Sequence, residues 1–253
     1  MKEKLYTIPL NDAIAANEEC PFCFIERNVE QDLLDFVLGS GSSYMESDIR
    51  EQTDQAGFCR THFKKMFDYG NTLGNAWILK THYMQIIKEM HSQFSGFRPG
   101  KTSLKDKLRK QSSGSNPIGV WAAEKEESCY ICKRYAETYE RYLDTFFVMY
   151  KKDPEFRDKI KASKGFCLPH FGDLCEAADT RLSDSEKKDF YDAMFPLMEE
   201  NMNRLSEDVA WLVEKFDYRN KDADWKNSKD AIQRGMQKLK GGYPADPPYQ
   251  MNK

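Results

Sequence analysis

Apolar positions recur along the chain at helical spacing. After Cys20, the residues Phe22, Ile25, Val29, Leu33 and Val37 advance by three or four positions, and Gly39 closes the run. Ile131, Tyr135, Tyr139, Tyr142, Phe146 and Met149 do the same after Cys129. Asp153 and Pro154 supply an N-cap and a first-turn proline for a short helix leading to Gly165. In the first half Ala76, Leu79, Tyr83, Ile86, Met90 and Phe94 mark a longer helix. Its counterpart opens at the capping box Ser183–Glu186 and carries Met194, Met198, Met202, Leu205, Val209, Leu212 and Phe216, with Pro196 expected to kink it. Ser228 is placed to cap a last helix ending near Gly241, and Pro244 to Lys253 read as a disordered end. No segment alternates with the period of two that a half-buried strand requires, so an all-α fold is expected.

Superimposed on this periodicity is a repeat. Cys20-Pro21-Phe22-Cys23 is matched by Cys129-Tyr130-Ile131-Cys132. Gly57-Phe58-Cys59-Arg60-Thr61-His62-Phe63 is matched by Gly165-Phe166-Cys167-Leu168-Pro169-His170-Phe171, identical at five of seven positions. Cys20 to Cys129 is 109 residues and Cys59 to Cys167 is 108, as an internal duplication would give. The expected organisation is a first repeat over 1–97, a basic linker with serines and glycine over 98–120, a second repeat over 121–216 and a tail with a short helix over 217–253. Two copies of one helical unit, related by a pseudo-twofold axis and each clipped by a metal site, would follow.

The recurring side chains are metal-ligand types. Two thiolates separated by two residues where a chain enters a helix can reach one ion, and the helix N-terminus lowers thiol pKa. Cys59 and His62, like Cys167 and His170, share a helix face three residues apart. Each half thus offers three sulfurs and one imidazole nitrogen: Cys20, Cys23, Cys59 and His62 in one, Cys129, Cys132, Cys167 and His170 in the other. Cys20 and Cys23 could also reach across to Cys167 and His170. Two zinc ions are expected, because a closed set of four protein ligands is the usual structural zinc site. Iron–sulfur clusters are the alternative that ligand identity leaves open. A disulfide framework would not explain the paired histidines, no βαβ pattern surrounds a thioredoxin-type motif, and Phe24 and Lys133 stand where haem attachment needs histidine. Cys175 lies outside the pattern and reads as a buried thiol on a helix, while His82 and His91 lie nine apart and read as ordinary surface or core histidines.

Composition narrows the partners. Forty-one acids against 38 bases give a net charge of −3, so no overall basic field points to nucleic acid. The basic stretch from Arg98 to Lys110 has no interleaved aromatic residues for base stacking and reads as a solvated connector. The N-terminus has no uncharged apolar run suited to a signal peptide, and no stretch approaches the roughly 20 apolar residues of a membrane span. A cytoplasmic location, where thiols stay reduced, is therefore expected.

The four motifs, with Phe216-Asp217-Tyr218-Arg219-Asn220, Trp225 and Asn227-Ser228-Lys229-Asp230-Ala231, resemble an uncharacterised family of bacterial domains of unknown function, found largely in anaerobes. The resemblance runs from about Cys20 to Gly241 and implies no activity. Two classes stay open: a metal-stabilised binding or adaptor module with an unknown protein or small-molecule partner, and an iron–sulfur or metal-dependent redox enzyme.

Overall fold

The computed structural model describes residues 2–41, 43–99 and 116–251. Among these there are eleven α-helices and no strand: α1 (Lys2–Ala15), α2 (Pro21–Leu38), α3 (Ser47–Ala56), α4 (Arg60–Tyr69), α5 (Thr72–Gly96), α6 (Pro117–Glu127), α7 (Tyr130–Lys152), α8 (Pro154–Lys161), α9 (Leu168–Arg181), α10 (Asp184–Glu214) and α11 (Ala231–Lys240). Local signals set several of the boundaries. Asp153 accepts a hydrogen bond from the Phe156 amide ahead of α8, and Ser183 with Glu186 forms the capping box of α10. That helix runs through Pro196 as one 31-residue segment.

Other boundaries differ from those the sequence suggests. Helix α1 carries no clear apolar stripe, so periodicity does not reveal it. Asn116 and Pro117 open α6, the Asn116 side chain accepting from the amides of Ile118 and Gly119; the rest of the basic connector, 100–115, lies outside the described residues. The last helix starts at Ala231 after Asp230, because the Ser228 hydroxyl donates to the Trp225 carbonyl instead of capping. Phe216, read as the end of a buried stripe, lies beyond α10 and is 83% exposed. The segment from Pro244 is no loose end over its described part: Arg27 pairs with Asp246 at 2.8 Å, the Tyr249 hydroxyl donates to Glu30 at 2.5 Å and Gln31 donates to the Gln250 carbonyl at 2.9 Å.

Two compact units emerge, one from Met1–Val29 with Ala136–Pro247 and one from Glu30–Tyr135 with Pro248–Lys253. Their borders fall inside α2 and α7, so each unit draws on both sequence repeats. The first unit is organised around Phe146, whose ring lies 5.3–6.0 Å from those of Phe147, Phe156, Phe22 and Phe166, all five almost fully buried. In the second unit Leu34, Val37 and Leu38 of α2 pack with Phe58, Met66, Tyr69, Ile78 and Ile131.

The tail belongs to the first unit up to Pro247. Its turn is built on Lys215, a buried lysine whose ammonium donates to the carbonyls of Asn220, Lys221 and Ala223 at 2.7, 3.1 and 2.5 Å. Helix α11 then packs on α9 and α10. A carboxylate explains its seating: Glu19, 2% exposed, is bound by Arg204 at 2.5 Å and by Arg234 of α11 at 3.3 Å, while Lys238 of α11 donates to the Glu19 carbonyl at 2.9 Å. Replacing Glu19 with Ala should leave Lys238 buried without its acid, take one partner from Arg204 and Arg234, and destabilise the first unit by about 3–5 kcal/mol. Urea unfolding followed by far-ultraviolet circular dichroism measures this, and a loss within error of zero would show that the cations find other partners.

Candidate metal centres

Each motif occupies the same position in its local structure. Cys59 and Cys167 are the N-cap residues of α4 and α9, and Cys20 and Cys129 stand immediately before α2 and α7. The partner side chains, Cys23, His62, Cys132 and His170, come three residues later, so both point off the first turn towards one spot. Pro21 and Pro169 suit the first turn, where a missing N–H breaks no helical bond. Ahead of the N-cap, Gly57 and Gly165 have φ of +60° and +71°, which L side chains rarely adopt. A Cβ on Gly57 would also lie 2.7 Å from the His82 ring, which is held against the Asp54 carbonyl at 2.8 Å. The intervening Phe58 and Phe166 are buried and anchor the turn in the two cores.

The eight residues come together as two groups, paired across the repeats. Cys20 and Cys23 meet Cys167 and His170 in the first unit; Cys59 and His62 meet Cys129 and Cys132 in the second. The set-per-repeat arrangement therefore gives way to the crossed one. The reason is local: the Tyr130 amide donates to the Gly57 carbonyl at 2.9 Å, tying one motif of each repeat together, and Phe22 packs on the His170 ring with centroids 5.8 Å apart.

Within each group all ligand atoms lie within 4.8 Å of one another. In the first, Nδ1 of His170 is 3.4, 3.6 and 3.1 Å from the sulfurs of Cys20, Cys23 and Cys167, and Cys23 and Cys167 approach at 3.7 Å. In the second, Nδ1 of His62 is 3.2, 3.3 and 3.3 Å from Cys59, Cys129 and Cys132, and the sulfurs of Cys59 and Cys132 are 3.8 Å apart. An ion at about 2.3 Å from sulfur and about 2.0 Å from nitrogen, bound tetrahedrally, needs S–S edges of about 3.8 Å and S–N edges of about 3.5 Å. The side chains fit such an ion.

Further residues, which the ligand spacing does not reveal, surround these groups. His62 turns Nε2 to Glu30 at 3.1 Å, and Glu30 also receives Lys65 and Tyr249, each at 2.5 Å. Burial alone would raise the Glu30 pKa, but His62, Lys65 and Tyr249 bring it down to about 2. Burial would lower that of His62, yet the thiolate of Cys129 and the Glu30 carboxylate lift it to about 10. Burial likewise opposes the Cys129 thiolate, while His62 and backbone donors bring its pKa to about 6. His170 is also raised to about 10, the sulfurs of Cys167 and Cys20 outweighing burial, and its Nε2 lies 3.8 Å from Glu26. Cys23, Glu26 and Glu30 share one face of α2, a signal present in the sequence but hidden among many helical acids. In the first unit the backbone at Gly241 passes so close that a Cβ there would lie 3.7 Å from the Cys167 sulfur. Cys175 is half-buried on α9, His91 is exposed, and neither joins a group.

The two groups differ in access. All four residues of the first are buried, whereas in the second Cys132 is exposed and Cys59 intermediate. Among the six cysteines of the two groups, iodoacetamide should alkylate Cys132 ahead of Cys20 and Cys167, its exposure outweighing a pKa that burial and neighbouring sulfurs push up to about 12, and leave those two untouched until the first unit unfolds. Time-resolved peptide mass spectrometry checks the order, and equal rates at Cys132 and Cys20 would contradict it.

Compared with known proteins, the chain matches no curated protein and no solved structure. A family model described as a family of unknown function (DUF6062) matches residues 1–246.

Proposed function

The chain belongs to DUF6062, a family of unknown function, and we propose that it is a helical binding or adaptor module whose two units are each fastened by one zinc ion. The observation that carries this reading is the closed set of three sulfurs and one imidazole nitrogen in each unit, at separations that suit one tetrahedral ion. Four protein ligands leave no position for substrate, which favours a structural ion over a catalytic one. A multi-iron cluster fits less well: ligands on different irons stand farther apart than the ligands of one ion, whereas all four of these lie within 4.8 Å of one another. Support for a partner comes from α5, where Tyr83, Met84, Ile87 and Phe94 are each more than half exposed.

Elemental analysis of protein purified anaerobically without chelator should find two zinc ions per chain in a colourless sample. A brown sample with broad visible absorption and stoichiometric iron would replace this reading with the redox one. Paired substitutions test the crossed ligand sets by counting. Cys20→Ser with Cys167→Ser should remove one ion, and Cys20→Ser with Cys59→Ser should remove both; sets confined to each repeat would give the opposite result.

The carboxylate behind His62 should matter as an outer-shell partner that orients the imidazole and strengthens it as a ligand. Glu30→Gln is expected to weaken the ion of the second unit by about 10–100-fold and leave the first unchanged. Competition with a chromophoric chelator resolves the two ions, and an unchanged second-unit affinity would count against this role. Acidification should release both ions, since protons compete for the thiolates and imidazoles. With its folded pKa depressed to about 2 from an ordinary value of 4.5, Glu30 contributes fully above 4.5, progressively less below it, and nothing once pH has fallen through about 2.

A further inference from the structure

A concavity of about 730 Å³ opens in the first unit between the turn before Gly165, one side of α10 and the segment entering α11. Six basic side chains line it, Lys161, Lys164, Arg204, Lys226, Lys229 and Arg234, against the acids Glu200 and Asp230. This excess is opposite in sign to the chain's net charge of −3. The two arginines are engaged: Arg204 binds Glu19, and Arg234 binds Glu19, Asp208 and Asp230. The four lysines have no acidic partner among the described residues. Lys164 donates to the Asn17 carbonyl at 2.7 Å and Lys226 lies 4.1 Å above the Trp211 ring, contacts that leave their charges uncompensated. Gathering like charges around one low-lying surface is unfavourable, and an anion relieves it.

We propose that this concavity binds a small polyanion, a molecule carrying two or more phosphate or carboxylate groups on a hydrophilic frame. Two separate segments supply the charge, Lys161 and Lys164 before Gly165 and Lys226 and Lys229 in the tail, so an occupant needs an anionic group towards each. The volume lies in the range of small-molecule sites and far exceeds what one phosphate fills. Ala162 and Leu197 are the only apolar side chains among the described lining residues, and no aromatic ring is there to stack a base. The Asp230 side chain makes no cap on α11, being turned to Arg234, so the positive end of that helix adds to the field. Asn227, Lys229 and Asp230, part of the tail segment singled out in the sequence, thus acquire a role that the metal centres do not give them.

Calorimetric titration of the full-length, metal-replete protein tests the site. The probes are fructose 1,6-bisphosphate for phosphate, tricarballylate for carboxylate and fructose as the neutral counterpart. Saturable binding of one or both anionic probes, one per chain and weakened by added salt, is expected, with no binding of fructose. Which probe binds identifies the anionic group. Lys161→Gln combined with Lys229→Gln alters two exposed side chains and should weaken binding at least about tenfold, with an unchanged circular dichroism spectrum and metal content. Absence of binding by both probes at millimolar concentration, or equal affinity in wild type and double variant, would overturn the proposal.

Discussion

Everything in the two clusters rests on a constraint at the start of a helix. A side chain at the N-cap and another at N3 converge on one point, and the unpaired amides around them favour negative charge there. Placing cysteine at the first position and cysteine or histidine at the second turns a helix end into a half-site with two ligands. Two such ends complete a set of four. Cys59 and Cys167 make no conventional side-chain cap, so the position that serine or aspartate usually fills is given over to sulfur. Glycine in the left-handed region and a buried phenylalanine before each of these cysteines then fix the approach of the chain. The motif is best understood as a turn with three separate duties: a backbone bend, an anchor and a pair of ligands.

The charges around the clusters are organised differently in the two units. In the second, Glu30 receives His62, Lys65 and Tyr249 together, so an ordered C-terminal residue supports the imidazole. In the first, support comes from beneath: Glu19 draws Arg204, Arg234 and Lys238 together beside Cys20, and Lys238 is almost fully buried. A buried cation near thiolates would offset the negative charge that three sulfurs would bring to one ion. The similarity of the ligand motifs therefore does not extend to their surroundings.

The all-helical character and the grouping of eight ligand-type residues were legible in the sequence because both follow from short-range spacing. The choice between the pairings was not, since either arrangement supplies the same four atom types and contacts between repeats, such as Tyr130 with Gly57 and Phe22 with His170, go with the crossed one. The end of the chain from Pro244, read as disordered, was misjudged for a related reason: its anchors, Arg27, Glu30 and Gln31, lie far away in the sequence. Glu19 and Lys238 are likewise charged residues whose burial depends on distant partners. Tyr249, next to two prolines, gave no sign of reaching Glu30. The helix over Lys2–Ala15 escaped notice because an amphipathic stripe is what periodicity detects, and this helix has little of one.

Crossing the ligand sets also orders their completion in time. A chain made from its N-terminus exposes Cys20, Cys23, Cys59 and His62 before any residue of the second repeat exists, and those four form a chemically complete set of the wrong pairing. The native set of the second unit closes only once Cys132 has emerged, and that of the first waits for His170, 150 residues after Cys20. An ion captured early would have to be surrendered and bound again, so on the ribosome the residues suited to a metal would also be the ones that must not hold it too soon.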